Sequence, residues 1–288
     1  MTAQPSTDTP LEWCRARLLV PGHPLTLTLP YADPSARDAL LVVHAMIGEI
    51  AAVPGSVSDP EVARRKLGWW RQALIDNLPH PAVQAWRQTG VAESLPPEAF
   101  MPLIDAVLID IDPPRFEREE DFDAHCRRVA GAGAWLEARL IGASESDDSL
   151  RDRLERMAGA AYRVRVARDL VLDARAERWS VPLDLQAEHR ITRHEVASGQ
   201  GGYRFEALIR HLAGAGVLEI EREQQALVGP DAWRHRHQLL RLHLDQRLGK
   251  RLVRRPGRAL RERVATGRIG DALAVWRRAR RLRRAPGS

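Results

Sequence analysis

Cysteine is scarce in this chain of 288 residues: there are two, Cys14 and Cys126. Two thiols cannot build the disulfide framework that holds many secreted proteins together, so a reducing compartment is expected. Aromatic residues make up only 5% of the sequence, and β-branched runs are few. With Ala, Leu and Arg dominant, that balance favours helix over strand. No apolar run is long enough to span a bilayer. The best, residues 39–53, carries His44 and Glu49 and is too short and too polar. The N-terminal MTAQPSTDTPLEW lacks a basic region followed by an apolar stretch, so no signal peptide is expected. These absences point to a cytoplasmic protein. Lysine is nearly missing as well: Lys66 and Lys250 are the two lysines among 44 basic residues.

Charge is present in quantity and unevenly spread. Residues 231–288 carry 18 Arg and Lys against four Asp and Glu, a net +14 within a chain of net +6. The preceding residues are therefore net acidic.

Local signals predict a succession of helices. Residues 1–33, rich in Pro and Thr, read as an extended lead-in. Residues 36–53 read as an apolar helix stopped by Pro54-Gly55. Asp59-Pro60-Glu61 is a helix start, with Asp as cap, Pro in the first turn and Glu near the positive helix end; that helix should reach about residue 77. Further helices are expected over 81–88, from Pro96-Pro97 through Leu108, and over 119–141, 150–177, 205–227, 233–248, 258–266 and 269–282. The small residues Gly131 and Gly133 predict close helix contact. No stretch alternates as a strand does, and no boundary forces a second domain. His235, His237 and His243 lie near one another, but an i, i+2 spacing does not gather ligands on one helical face; a solvated helix surface is the expectation.

Four segments stand in an order that is informative: PSARDALLVVHAMIGEIA (residues 34–51), KLGWWRQAL (66–74), DFDAHCRRVAGAGAWL (121–136) and ARDLVLDARAERWSVPLD (167–184). They resemble, in turn, the first Asp-rich helix, the Leu-x-Trp-Trp-Arg segment, the Tyr-Cys-x-x-Val-Ala-Gly helix and the second Asp-rich motif of the squalene/phytoene synthases. The resemblance implies an all-α fold, a single-domain isoprenoid-synthase-like helical bundle around an apolar cavity. It would occupy residues 34–288, with 231–288 as a basic C-terminal region.

The same resemblance implies a chemistry. Family members join isoprenoid diphosphates, and departure of diphosphate needs Mg²⁺ and basic side chains. Asp169 and Asp173, one helical turn apart on one face, match the second motif as metal ligands and catalytic residues, with Arg168 beside them. Arg71, Glu49 and Arg128 are the matching candidates for substrate binding. The first motif is different: where the family places aspartates, this chain has Gly48, Glu49 and Ala52. Tyr162 and Arg165 stand where Gln and Asn are usual, and Ser180 replaces a Tyr. A noncatalytic branch of the superfamily, linked to assembly of respiratory complex I, has a similar loss of aspartates. Two functions follow as expectations: Mg²⁺-dependent prenyl transfer, reduced or lost, or noncatalytic binding of a lipid or protein partner on the same fold.

Simpler roles exist for the same residues. Asp169 and Asp173 have Arg165, Arg168 and Arg175 within a turn or two and could form local ion pairs. Of Trp69 and Trp70, about 100° apart on a helix, one should be core and one at a seam. Arg71 could hold a salt bridge in place of a diphosphate. The run VWRRARRLRR (275–284), with Trp276 and Leu282 for an apolar face, suits an anionic membrane surface and a peripheral location. A nucleic-acid partner is disfavoured, because no recognised motif accompanies the charge.

Overall fold

The computed structural model describes residues 9–112 and 115–284. Helices account for the regular structure, and no strand occurs among the described residues. The contacts divide into two compact units, one formed by residues up to 112 together with 135–147, the other by 115–134 together with 148–284.

The first unit contains α1 (Pro10–Leu18), α2 (Pro24–Thr28), α3 (Arg37–Ala51), α4 (Val53–Ser56), α5 (Pro60–Asp76), α6 (Pro81–Gln88), α7 (Val91–Ser94) and α8 (Met101–Asp110). α9 (Glu119–Leu140) ends in it. α3 is apolar on every side from Leu40 to Val43, and all of those residues are buried, as a helix hydrophobic all round must be. It packs on α1, α6 and α8. α5 begins as its sequence dictates: Asp59 accepts from the Glu61 amide at 2.8 Å, with Pro60 in the first turn. It ends on Asn77 in the left-handed region (φ 56°), a conformation that Asn tolerates. Trp70 is core, at 2% exposure, whereas Trp69 is 37% exposed and meets His80 edge-on.

The second unit holds the first turns of α9 and α10 (Asp148–Arg175), α11 (Leu183–His189), α12 (Arg193–Ala197), α13 (Gly202–Ala226), α14 (Gly229–Arg234), α15 (Arg236–Arg254) and α16 (Arg268–Arg284). α10 is its axis and packs on α12, α13 and α15. The core is built from Leu170, Val171, Phe205, Leu208, Leu212 and Leu252 with their neighbours. Small residues let the helices approach, as expected at Gly131: a Cβ there would lie 2.8 Å from Glu155 Cγ on α10.

Several expectations need correction. The described part of the lead-in carries α1 and α2 in place of extended chain; α1 starts where Thr9 and Glu12 form a reciprocal capping box around Pro10, which satisfies amides that would otherwise be orphaned. Residues 1–8 of that lead-in lie outside the described residues. The helix expected over 258–266 is one 3₁₀ turn, Pro256–Leu260, followed by irregular chain that sends Val264 into the core. α11 and α12, where no helix was expected, are short helices, the second started by a Thr192–Glu195 capping box. His235 and His237 are buried, not solvated; His235 sits where α14 meets α15, and its Nδ1 lies 2.8 Å from Gln238 Oε1.

Candidate functional site

α10 carries the residues of the second acidic motif, and it is long because little in it opposes helix: Arg, Ala and Leu predominate. Asp169 and Asp173 fall one turn apart near its C-terminal end.

Asp169 is held by two guanidinium groups. Its Oδ1 accepts from Arg168 Nε at 2.9 Å and from Arg263 Nε at 2.7 Å. Its Oδ2 accepts from Arg168 Nη2 and, at 3.1 Å, from Arg263 Nη2. Burial by itself would raise this carboxyl, but the hydrogen bonds and charges of Arg263 and Arg168 outweigh it and hold the group below the usual carboxylate range. Asp173 Oδ1 accepts from Arg178, with Nη2 at 2.6 Å and Nε at 3.2 Å. Two carboxylates thus meet three arginines.

Not all the expected local pairs form. Arg165 reaches instead to Asp245 on α15, at 2.7 Å, and Arg175 donates to the Ala197 carbonyl on α12. Arg263 was missed, because it lies 94 positions from Asp169 and no local pattern marks it among the other arginines of the basic region.

The remaining candidates are dispersed. In the first unit, Glu49 on the last turn of α3 is ion-paired with Arg17 of α1, and Arg71 on α5 with Asp105 of α8. In the second unit, Arg128 is exposed on α9.

The divalent ion that the motif implies asks for hard oxygen ligands with free lone pairs. Asp169 already accepts two N–H bonds on each oxygen, and a cation placed there would face Arg168, Arg178 and Arg263. As arranged, Asp169 does not fit Mg²⁺, and Asp173 offers a single oxygen, Oδ2, that accepts no N–H among the described residues.

A second charged cluster lies further along α10. Arg163, 3% exposed, donates to Asp123 at 2.6 Å, to Glu119, and to the Leu212 carbonyl at 3.1 Å. Burial opposes its charge, but Asp123 and Glu119 more than compensate and raise it above the ordinary arginine value. Glu119 also meets His211 Nε2 at 2.8 Å. This network was not read from the sequence. An Arg in the middle of an apolar helix face was the available signal.

Comparison with known proteins places the chain. Residues 21–269 match the family model described as squalene/phytoene synthase. The chain is 26% identical over 193 residues to a phytoene synthase of Thermus thermophilus, covering 61% of this chain and 64% of that one. It is 26% identical over 142 residues to a 15-cis-phytoene synthase of Enterobacter agglomerans, covering 49% and 48%. The match thus spans about half to two thirds of the length of these curated relatives. In structure it is similar to a dehydrosqualene synthase solved with a ligand (TM-score 0.79, 14% identity, 95% and 96% of the two chains). It is also similar to a squalene synthase from Alicyclobacillus acidocaldarius (TM-score 0.69, 18% identity, 86% and 94%). These likenesses establish the all-α isoprenoid-synthase fold, and the family match over most of the sequence establishes that this chain belongs to the squalene/phytoene synthase family.

Proposed function

We propose that this chain is a noncatalytic binding member of its family, one that holds an isoprenoid diphosphate or similar anionic lipid without ionising it. The observation that carries this reading is the double guanidinium grip on Asp169, both of whose oxygens are occupied. Three arginines against two carboxylates leave a net positive surface that attracts a diphosphate. Departure of that diphosphate needs its charge neutralised as the bond breaks, and Asp169, with both oxygens taken, is not open to bring in a metal, which leaves Asp173 Oδ2 as the motif's one oxygen without an N–H partner among the described residues. Glu49, the acidic residue left in the first motif, is itself paired with Arg17.

Mg²⁺-dependent prenyl transfer is the competing reading, favoured by the one-turn spacing of Asp169 and Asp173 beside Arg168. Purified protein incubated with farnesyl or geranylgeranyl diphosphate and Mg²⁺ separates the two. The expected result is binding without diphosphate release. Mg²⁺-dependent release that disappears in Asp169→Ala/Asp173→Ala would establish transfer and overturn the proposal.

The same reading keeps the protein in the cytoplasm with a peripheral membrane contact through residues 231–288. Ile269, Leu273 and Trp276 of α16 are exposed and share one face at i, i+4 and i+7, next to the exposed Arg277, Arg280 and Arg284. Leu282 is not part of that face; it turns into the core. No described helix is long and apolar enough to cross a membrane.

A further inference from the structure

Far along α13 from the second acidic motif, a separate cavity of about 690 Å³ opens among α13, α14, α15 and α16. Its wall carries five permanent cations: Arg247, Lys250, Arg277, Arg278 and Arg281. Two have carboxylate partners. Lys250 Nζ lies 2.6 Å from Glu221, also in the wall, and Arg247 Nε lies 3.1 Å from Asp271. The other three have no carboxylate within ion-pair distance among the described residues. Arg278 is half-buried, and its guanidinium reaches only a neutral amide, Gln224 Oε1 at 3.2 Å, leaving Nε without an acceptor.

Three neighbouring arginines facing one cavity repel one another, and a half-buried guanidinium without a counter-charge is costly. Burial and then Arg281 pull Arg278 below the ordinary arginine value. His243, in the same wall, is lowered by burial and by Arg278, Arg247 and Lys250, although its hydrogen bond to Gln246 opposes this. The missing component is an anion. Guanidinium forks match the paired oxygens of phosphate, and Leu227 and Val228 give the cavity an apolar side. We propose that this cavity is a binding site for a phosphate group, supplied by a free phosphate ester or by the headgroup of a lipid. The site is independent of Asp169 and its arginines.

Thermal unfolding and titration calorimetry with inorganic pyrophosphate, against chloride at matched ionic strength, test the proposal, each run in the Arg168→Gln/Arg263→Gln background so that the second motif does not take up the anion. Pyrophosphate should raise the melting temperature. Arg277→Gln/Arg281→Gln alters only exposed side chains and so should keep the fold, as checked by circular dichroism; it should weaken binding about tenfold or more. Arg278→Gln should act in the same direction. With Arg168 and Arg263 replaced throughout, the binding that remains belongs to this cavity. In that background, no shift with pyrophosphate, or a shift that Arg277→Gln/Arg281→Gln leaves intact, would overturn the site. Two further arms identify the source. Binding of glycerol 3-phosphate assigns a free ester, whereas binding confined to phosphatidylglycerol vesicles assigns a lipid headgroup; either supports the site if Arg278→Gln, which leaves the exposed face of α16 intact, removes it.

Discussion

Replacing Arg163 by methionine would leave Glu119, Asp123 and the Leu212 carbonyl facing an apolar side chain. The buried member is lost, while Glu119 keeps His211 and Asp123 stays half-exposed to water, so a loss of about 1–3 kcal/mol is expected in urea unfolding. The cysteines offer a milder test. Cys14 is fully buried, and burial above all pushes its thiol up to about 11; Cys126 is buried too. A thiol reagent at pH 8 should find neither cysteine in the native protein and both after denaturation. At this scale, sequence reading named Asp169, Asp173 and Arg168 and saw that arginines could pair with them. It could not see Arg263, because ion pairing across 94 positions leaves no periodic trace.

Among the helices, glycine separates positions where contact matters from positions where it does not. A Cβ at Gly159 on α10 would meet the Arg127 backbone, with Cα at 2.8 Å and N at 2.9 Å. Backbone atoms cannot step aside, so Gly159→Ala should destabilise by about 1–3 kcal/mol. Gly68, exposed in the middle of α5, has open space around it, and Gly68→Ala should stabilise by about 0.5–1 kcal/mol through helix propensity. Paired chemical denaturation curves would show opposite signs. The long helices were legible because their apolar faces repeat and their starts are marked, as at Asp59-Pro60 and His80-Pro81. The short ones were not. α1, α2, α11 and α12 have five to nine residues, too few for a period to show. The 258–266 segment looked helical but is held out of a helix by tertiary demands, with Arg263 on Asp169 and Val264 in the core.

For the whole molecule, pH gathers these pairings into one observable. His80, His189 and His243 are all lowered, chiefly by burial. They stay neutral in the folded chain where the unfolded chain takes up protons, so stability falls as pH drops below about 6.5. Asp169 and Glu119 are held below their ordinary values of 3.8 and 4.5. What they contribute is complete above those values and is lost as pH falls through the lower folded ones. Melting temperature should therefore decline in two stages on acidification from pH 7, and Asp169→Asn should flatten the lower stage. The charge asymmetry was plain in the composition. The arginine run at 275–284 was plain too, but that some of these arginines gather around one cavity needed the fold.

The near-absence of lysine gives that cavity its own reporter. Lys250 stands in the wall, paired with Glu221, while Lys66 is exposed on α5 and bonds Ser56 Oγ at 3.3 Å. Arginine does not react with amine-directed acylating reagents, so labelling divides between these two side chains and the N-terminal amine. An anion seated among Arg277, Arg278 and Arg281 would slow acylation of Lys250 and leave Lys66 untouched, so mass spectrometry of two peptides would read occupancy with an internal standard already in the chain.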